Sequence, residues 1–437
     1  MGERQSSQPL SITIITRPRL PKNVNGVLSL DDVRLSGKRV LFRVDVNSPL
    51  HPETGAFLDD SRLRGIVPTL RALSDAKVVI ISHQSRPGKS DFTNMSGHAE
   101  RMVRILGRPV RFIPDVCGEV ALEAIRSMIN GEIIFLDNVR MHPEEMALSR
   151  ATPEELAKSQ IVATLAPEFD AYVTDAFAAA HRNSPSLSGF AEELPCFAGR
   201  LMEREISALG LAVTAPPRPY VVILGGAKAD DSLRVAINLI ERNVVDTVAF
   251  VGVVGNMMLW ASGIDIGRGN QDFIRNTLGD SFEETWSAAR HLLTDHEKLL
   301  FLPSDVAVER DGERIPIKVE ELPTEDPIYD IGLETLMRLR PLLLDANCIL
   351  WNGPASYFEK PQFAFGTIEI LNICTESAAL TIVGGGHTSA LVSSRGVGDK
   401  ISHTSTGGGA CLTMLSGARM PVIEALMRSA SVFSKSE

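Results

Sequence analysis

Cysteine is sparse in this chain, and none of it is arranged for chemistry. The five cysteines, at positions 117, 196, 348, 374 and 411, form no CxxC pair and match no Cys/His metal spacing. Scattered cysteines in odd number fit a reducing compartment. The nine histidines do not pair at metal-ligand intervals either, so no metal site built from protein ligands is expected. Positive charge is in the minority: 44 Lys and Arg against 54 Asp and Glu leave a net charge of −10. That balance argues against nucleic-acid binding, which needs a basic face. An anionic ligand would need a local basic pocket. No apolar run approaches the length of a membrane span. The opening MGERQSSQPLSITIITRPRLP lacks signal-peptide form. Residues 1–20 read as a poorly ordered extension or, through 12–16, as an extra edge strand. These absences together favour a cytoplasmic enzyme, a monomer or weak oligomer acting on small molecules, with no membrane partner.

Three signatures are missing too. No GxGxxG follows a strand, so a dinucleotide cofactor has no support. HQSRPGKS at 83–90 nearly forms a P-loop, but His83 stands where the first glycine belongs and Pro87 removes an amide. No GxSxG or other nucleophile signature occurs.

What the chain does have is glycine near its end, in two triple runs, Gly384–Gly386 and Gly407–Gly409. The first follows the apolar run 379–383, which reads as a buried parallel strand, and the second follows the β-rich run 401–406. A helix start follows each. Glycines at such turns let backbone N–H groups converge on an anion, and the helix N-terminus adds positive charge. Two such turns make a phosphate cradle.

With 437 residues the chain exceeds the usual single core, so two domains are expected. Strands are read at 38–46, 77–82, 110–113, 132–136 and 171–173, alternating with helices at 62–73, 98–106, 119–128 and 153–165. A helix at 201–211 and the Pro-rich 215–219 mark the boundary. A second series follows: strands at 220–224, 247–251, 299–302, 348–351 and 379–383, with helices at 232–241, 273–293 and 333–343, a loop at 252–256 leading into a further helix, and a hairpin over 306–319. Alternation of this kind predicts parallel sheets flanked by helices, whose ligands sit beyond the strand carboxyl ends. The expected division is an extension at 1–20, a first domain at 21–200, a linker helix and hinge at 201–218, a second domain at 219–412, and a C-terminal segment at 413–437 packing back toward the first domain.

The strand ends of the first half carry Arg43, Asp45, Asn47, His83, Arg86, Arg140, Asp175, His181 and Arg182, with Arg62 and Arg64 nearby. A lone arginine is more often a surface ion pair; this many at strand ends form a basic cluster. Arginine forks suit a small acid carrying carboxylate and phosphate. The second half offers glycines and Lys228, which suit a nucleotide's phosphate chain. Two such surfaces on joined domains suggest a cleft that closes over both ligands.

Nine blocks now point one way: VLFRVDVNSPL (40–50), SHQSRPGK (82–89), LDNVRMHPEE (136–145), YVTDAFAAAHR (172–182), LGGAKADDS (224–232), LPSDVAVE (302–309), ILWNGPASYFE (349–359), VGGGHTSA (383–390) and STGGGACL (405–412). In content and order they resemble phosphoglycerate kinases, and the GGGHT, HQSRPGK and GGAKADDS forms look most like the archaeal branch. The resemblance implies two Rossmann-like domains joined by a hinge with a central cleft. It implies reversible transfer of the 1-phosphoryl group of 1,3-bisphosphoglycerate to ADP, giving 3-phosphoglycerate and ATP, with Mg2+ carried mainly by the nucleotide. Asp45, Val46 and Asn47 would then meet the glycerate, and His83, Gln84, Ser85, Arg86, Arg140 and Arg182 the 3-phosphate pocket. Arg62 would bridge the carboxyl and the moving phosphoryl. Lys228 would reach that phosphoryl from the other domain, with Gly385 and Gly408 assisting the transfer. Gly225, Asn352, Pro354, Gly385, Gly386, His387 and Thr388 would hold the nucleotide, and Glu359 its ribose.

Some positions depart from the family pattern. His387 and Ser232 replace an aspartate and a lysine of most bacterial and eukaryotic members, as archaeal members also do. Thr174, Ser356 and the segment Val251-Gly-Val-Val-Gly-Asn256 are further departures near the cleft. They leave open a diverged paralogue that binds without turnover, or a kinase for another small carboxylic acid.

Overall fold

The structure, a computed structural model, describes residues 26–433; the edge strand considered over 12–16 lies outside them. Six strands of the first half form one sheet: β1 (Arg39–Arg43), β2 (Lys77–Ile81), β3 (Arg111–Phe112), β4 (Ile133–Phe135), β5 (Ala171–Thr174) and β6 (Cys196–Ala198). Their order is β3-β4-β2-β1-β5-β6, and every pair is parallel. The second half contributes β7 (Tyr220–Leu224), β8 (Thr247–Phe250), β9 (Leu300–Phe301), β10 (Asp305–Arg310), β11 (Glu313–Lys318), β12 (Ile328–Ile331), β13 (Cys348–Asn352), β14 (Leu380–Gly384) and β15 (His403–Thr404). Six of these form a second parallel sheet in the order β15-β14-β13-β7-β8-β9. Strands β10, β11 and β12 make a small antiparallel sheet beside it.

The apolar strands explain why helices cover both faces. Leu41, Val79 and Ile134 enter one core, whereas their neighbours Val40, Val78 and Ile133 enter another on the opposite face. The second sheet divides its residues likewise, Val222 and Leu350 to one side and Val221 and Trp351 to the other. A strand buried on both faces must be apolar over most of its length, as these are, with polar residues such as Arg39, Lys77 and Asn352 at strand ends.

Local chemistry sets the differences from the sequence expectation. The helix expected over 62–73 is two, Ser61–Gly65 and Val67–Ala72, because Pro68 lacks an N–H and starts the second. The helix expected over 153–165 breaks where Ser159 caps a new one, its side chain accepting from Val162 N–H. Residues 252–256, read as a loop, are the first turns of the helix Gly252–Ala261. Strands β6 and β12 and the helix Phe365–Glu376 were not expected. The hairpin between β10 and β11 turns on Asp311 and Gly312, both at positive φ, as a two-residue hairpin loop requires.

The halves are tied by the helix Arg200–Thr214. Asp175, just past β5, accepts from Leu201 N–H and Met202 N–H at 3.0 and 3.1 Å and so caps that helix. Burial pushes the Asp175 carboxyl up to about 6, against the pull of Thr69 and those amides. Farther along, Glu205 is buried and reaches into the second half. Its carboxylate accepts from Thr406 N–H at 2.6 Å and Thr406 Oγ1 at 2.8 Å, and meets His403 Nε2 at 2.9 Å. After the second glycine run the helix Pro421–Phe433 returns to the first half. Val422 N–H donates to the Ala180 carbonyl at 3.2 Å, and Ser429 Oγ accepts from Cys196 N–H at 2.8 Å.

Burial alone would raise the Glu205 pKa, but His403 and the Thr406 donors outweigh it and hold it below the usual glutamate value. A lowered folded-state pKa gives stability that is present above the unfolded value and lost as pH falls through the folded one. The expected result is therefore a shallower fall in urea midpoint for Glu205→Gln than for the native chain below about pH 4.3. Parallel falls would remove Glu205 from the acid transition.

Candidate functional site

In each parallel sheet, consecutive connections run in opposite directions from one pair of strands, β1 with β5 and β7 with β13. The crevice beyond such a pair is where ligands bind in open α/β sheets. Both crevices here carry unusual chemistry.

Beyond β1 and β5 the side chains are mostly cationic. Arg43 is buried at the end of β1; its guanidinium reaches His83 Nδ1 at 3.0 Å, Ser186 Oγ at 3.0 Å and the Val44 carbonyl. Two residues on, Asp45 accepts from Arg62 at 2.7 Å and from Asn47 N–H at 3.1 Å. Burial works to raise the Asp45 pKa, but His83, Arg62 and Arg43 together hold it down at about 2. His83 is held well below its ordinary value by burial, which the Asp45 charge opposes and Arg43, Arg140 and Arg182 reinforce. Its buried Nε2 has no partner among the described residues. Arg140 is lowered to about 10 by burial and then by Arg182 and Arg43, and Arg182 is lowered for the same kind of reason. Such shifts mark crowded positive charge that an anion would relieve.

Arg86, Arg140, His181 and Arg182 line one cavity of about 530 Å³, and Arg150 and Arg419 join them there. Sequence reasoning missed those last two. Arg419 comes from the far end of the chain and is brought over by the returning C-terminal helix, which no local motif reveals. The remaining residues of this group hold the loop rather than face the cavity. Gln84 is fully buried: its Oε1 accepts from Ser48 N–H and meets His98 Nε2, both at 3.1 Å, and its Nε2 donates to the Ser48 carbonyl. Ser85 sits at φ 56°; its hydroxyl donates to Asp91, and its N–H donates to Asn47 Oδ1 at 2.9 Å. Val46 is buried, with its N–H on Ser82 Oγ at 3.3 Å.

Beyond β7 and β13 the wall is backbone. Gly225 N–H donates to the Asn352 carbonyl at 2.9 Å and Gly226 N–H to the Pro354 carbonyl at 2.7 Å. A Cβ on Gly225 would stand 2.5 Å from the Pro354 oxygen, so only glycine lets these two strand ends meet. A cavity of about 630 Å³ opens here, lined among others by Gly226, Gly252, Asn256, Phe273, Tyr329, Pro354, Glu359 and His387. Lys228 is exposed at the start of the helix Ala229–Glu241, and its ammonium has no ion pair among the described residues. Gly385, at φ 86°, opens the helix Gly386–Ser394, and Gly408, at φ 51°, opens Gly409–Leu415. Gly386 and Gly409 are exposed. Thr388 is buried and its hydroxyl donates to the Gly384 and Gly385 carbonyls, so that side chain braces the turn. Asn352 is buried, and its Oδ1 has no partner among the described residues. Glu359 and His387 stand 4.0 Å apart and largely exposed.

The sequence departures are accommodated. Thr174 Oγ1 accepts from Ala176 N–H at 3.2 Å, and the Ser356 hydroxyl bonds Thr367 at 2.6 Å. The sequence reading gives Asp231 no role. It lies three residues past Lys228, and burial and the Asp230 charge push its carboxyl up.

A cationic crevice on one α/β lobe and a glycine-walled crevice on another define a two-lobed phosphotransferase. The chain belongs to the phosphoglycerate kinase family. The family model so described matches residues 30–418. A curated phosphoglycerate kinase from Methanothermobacter thermautotrophicus is 43% identical over 403 residues, covering 92% of this chain and 97% of that one. One from Methanosarcina mazei is 44% identical over 400 residues, covering 91% and 94%. The crystal structure of phosphoglycerate kinase from Pyrococcus horikoshii superposes with a TM-score of 0.84 at 37% identity, covering 93% of this chain and 100% of that one. These relatives are archaeal, in keeping with the motif forms.

Gly225→Ala should force β7 and β13 apart at the crevice. Overpacking of this kind typically costs about 1–3 kcal/mol. Urea unfolding should show that loss together with weaker ADP binding; unchanged values for both would mean that the strand ends tolerate a methyl group.

Proposed function

We propose that the chain is a phosphoglycerate kinase that moves the 1-phosphoryl group of 1,3-bisphosphoglycerate reversibly to ADP, giving 3-phosphoglycerate and ATP. The observation that carries this reading is the pairing of an arginine-lined cavity with a glycine-walled one, each beyond the switch point of its own parallel sheet. The first lobe, 21–200, takes the acid. Arg86, Arg140 and Arg182 hold its phosphate, and Asp45, Asn47 and Arg62 its glycerate end. The second lobe, 219–412, takes the nucleotide against Gly225, Asn352, Pro354, Glu359 and the turn at Gly385–Thr388. The linker at 201–218 bends to close the cleft.

A nucleotide phosphate oxygen attacks phosphorus as the bond to the carboxyl oxygen breaks, and the carboxylate leaves. An acyl phosphate needs no covalent help, so the protein's part is to position the groups and offset their charge. Arg62 and Lys228 do this from opposite lobes, with the amides at Gly385 and Gly408. Magnesium, when bound with the nucleotide, screens phosphate oxygens and usually keeps several waters. Among the described residues no three His, Cys, Asp or Glu gather into a metal site. Asp231 fits an ion held chiefly by the nucleotide, because a cation there would relieve its crowding with Asp230. A coupled assay with ATP and 3-phosphoglycerate tests the reading directly; no turnover would leave a binding protein.

Two substitutions separate the lobes. Arg86→Ala should lose about 1.5–3 kcal/mol of 3-phosphoglycerate affinity, the scale of a hydrogen bond to a charged group, and leave ADP affinity near normal. Equal losses for both ligands in calorimetry would contradict the two-pocket assignment. Lys228→Ala should cut kcat by roughly 10²-fold while Kd values change much less, because its contact forms mainly in the transition state. A near-normal kcat would leave the transfer to Arg62 and the glycine amides.

A further inference from the structure

Four buried polar side chains line the cavity beyond β7 and β13: Asn256, Asn270, Asp330 and Ser356. Three are committed to the protein. Asn270 Nδ2 donates to the Ile266 and Asp326 carbonyls at 2.9 and 3.1 Å, and its Oδ1 accepts from Ile328 N–H at 3.0 Å. Asp330 accepts from Ile331 N–H at 2.8 Å and Gly366 N–H at 3.1 Å, and faces Arg314 at 3.2 Å. The Ser356 hydroxyl is paired with Thr367.

Asn256 is different. Only 8% of it is exposed, and its amide makes no side-chain hydrogen bond among the described residues. It sits in the second turn of the helix Gly252–Ala261 and lines the cavity. An amide at a cavity wall that the protein does not engage is free to bond a ligand. The walls around it include Phe273, Ile274, Ile328 and Ala355, which give a flat aromatic ligand apolar surface. A pocket of this kind is apolar with a few placed polar groups, and those groups fix what it accepts.

We infer that Asn256 reads the nucleobase and so sets the nucleotide preference of this chain. An asparagine amide offers one acceptor and two donors, and it meets adenine two-pronged, its oxygen taking the exocyclic amino group and its nitrogen giving to the adjacent ring nitrogen. The inference rests on the cavity being the nucleoside site. It adds a specificity-determining residue to that site, on the helix that the sequence alone read as a loop.

The test compares ATP with purine riboside triphosphate, which lacks the exocyclic amino group, in native protein and in Asn256→Leu. Native protein should favour ATP by roughly 10-fold in KM, the scale of a paired base contact. In Asn256→Leu that preference should collapse to near one, because protein and ligand lose the same bond. Asn256→Asp provides a second variant: its carboxylate only accepts, so ATP should weaken and GTP, with two adjacent donors on its base edge, should improve. Thermal unfolding and the KM for 3-phosphoglycerate report whether each variant is folded. Val253→Trp, which fills the same cavity, checks the underlying reading. If it leaves ATP affinity unchanged, the cavity does not hold the nucleoside and the inference falls with that reading. If it blocks ATP while Asn256→Leu keeps the native preference, the cavity reading stands and Asn256 is not the reader.

Discussion

Two parallel pairings, β1 with β5 and β7 with β13, fix where everything else in this chain can go. Hydrogen-bonded side by side and covered on both faces, these strands leave only their carboxyl ends open to a ligand. The residues just past those ends therefore meet two demands at once. They must complete the local backbone bonds and also carry the chemistry. In the second half glycine meets both, since Gly225 and Gly353 let the backbones touch where any side chain would intrude. In the first half arginine and aspartate do so, Asp175 by capping the bridging helix and Asp45 by holding Arg62.

The first crevice stores electrostatic stress. Burial together with neighbouring guanidinium groups depresses Arg140, Arg182 and His83, with Asp45 as the buried counter-charge at their centre. A chain that is acidic overall thus concentrates positive potential in one place. Apolar burial across two lobes sustains that unfavourable arrangement, and a bound phosphate would discharge it.

Much of this was legible in the sequence. Strongly apolar strands such as 77–81 and 220–224 name themselves, and both glycine turns fall where the sequence placed them, each opening a helix. The sequence was less clear where length or context decides. Strand β6 has three residues, and the helix Phe365–Glu376 follows a proline-bearing loop that masks its start. The segment 252–256 looked like a loop because its glycines suit one, yet Gly252 at φ 60° opens a helix. At the sites, residue types were legible and their orientations were not. Gln84, Ser85 and Thr388 sit inside recognisable motifs, but their side chains point into the protein and brace it. Arg150 and Arg419 lie outside every motif and reach the cavity only through the path of the chain.

That path has a mechanical side. The polypeptide leaves the first lobe through the helix Arg200–Thr214 and comes back to it through Pro421–Phe433, so the second lobe hangs from two attachment points. A body held at one point can swivel freely, whereas one held at two turns mainly about the line that joins them. In the proposed closure the second connection would remove twist and leave bending, and a single bending coordinate would return the same pair of strand ends to the same alignment each time it is travelled.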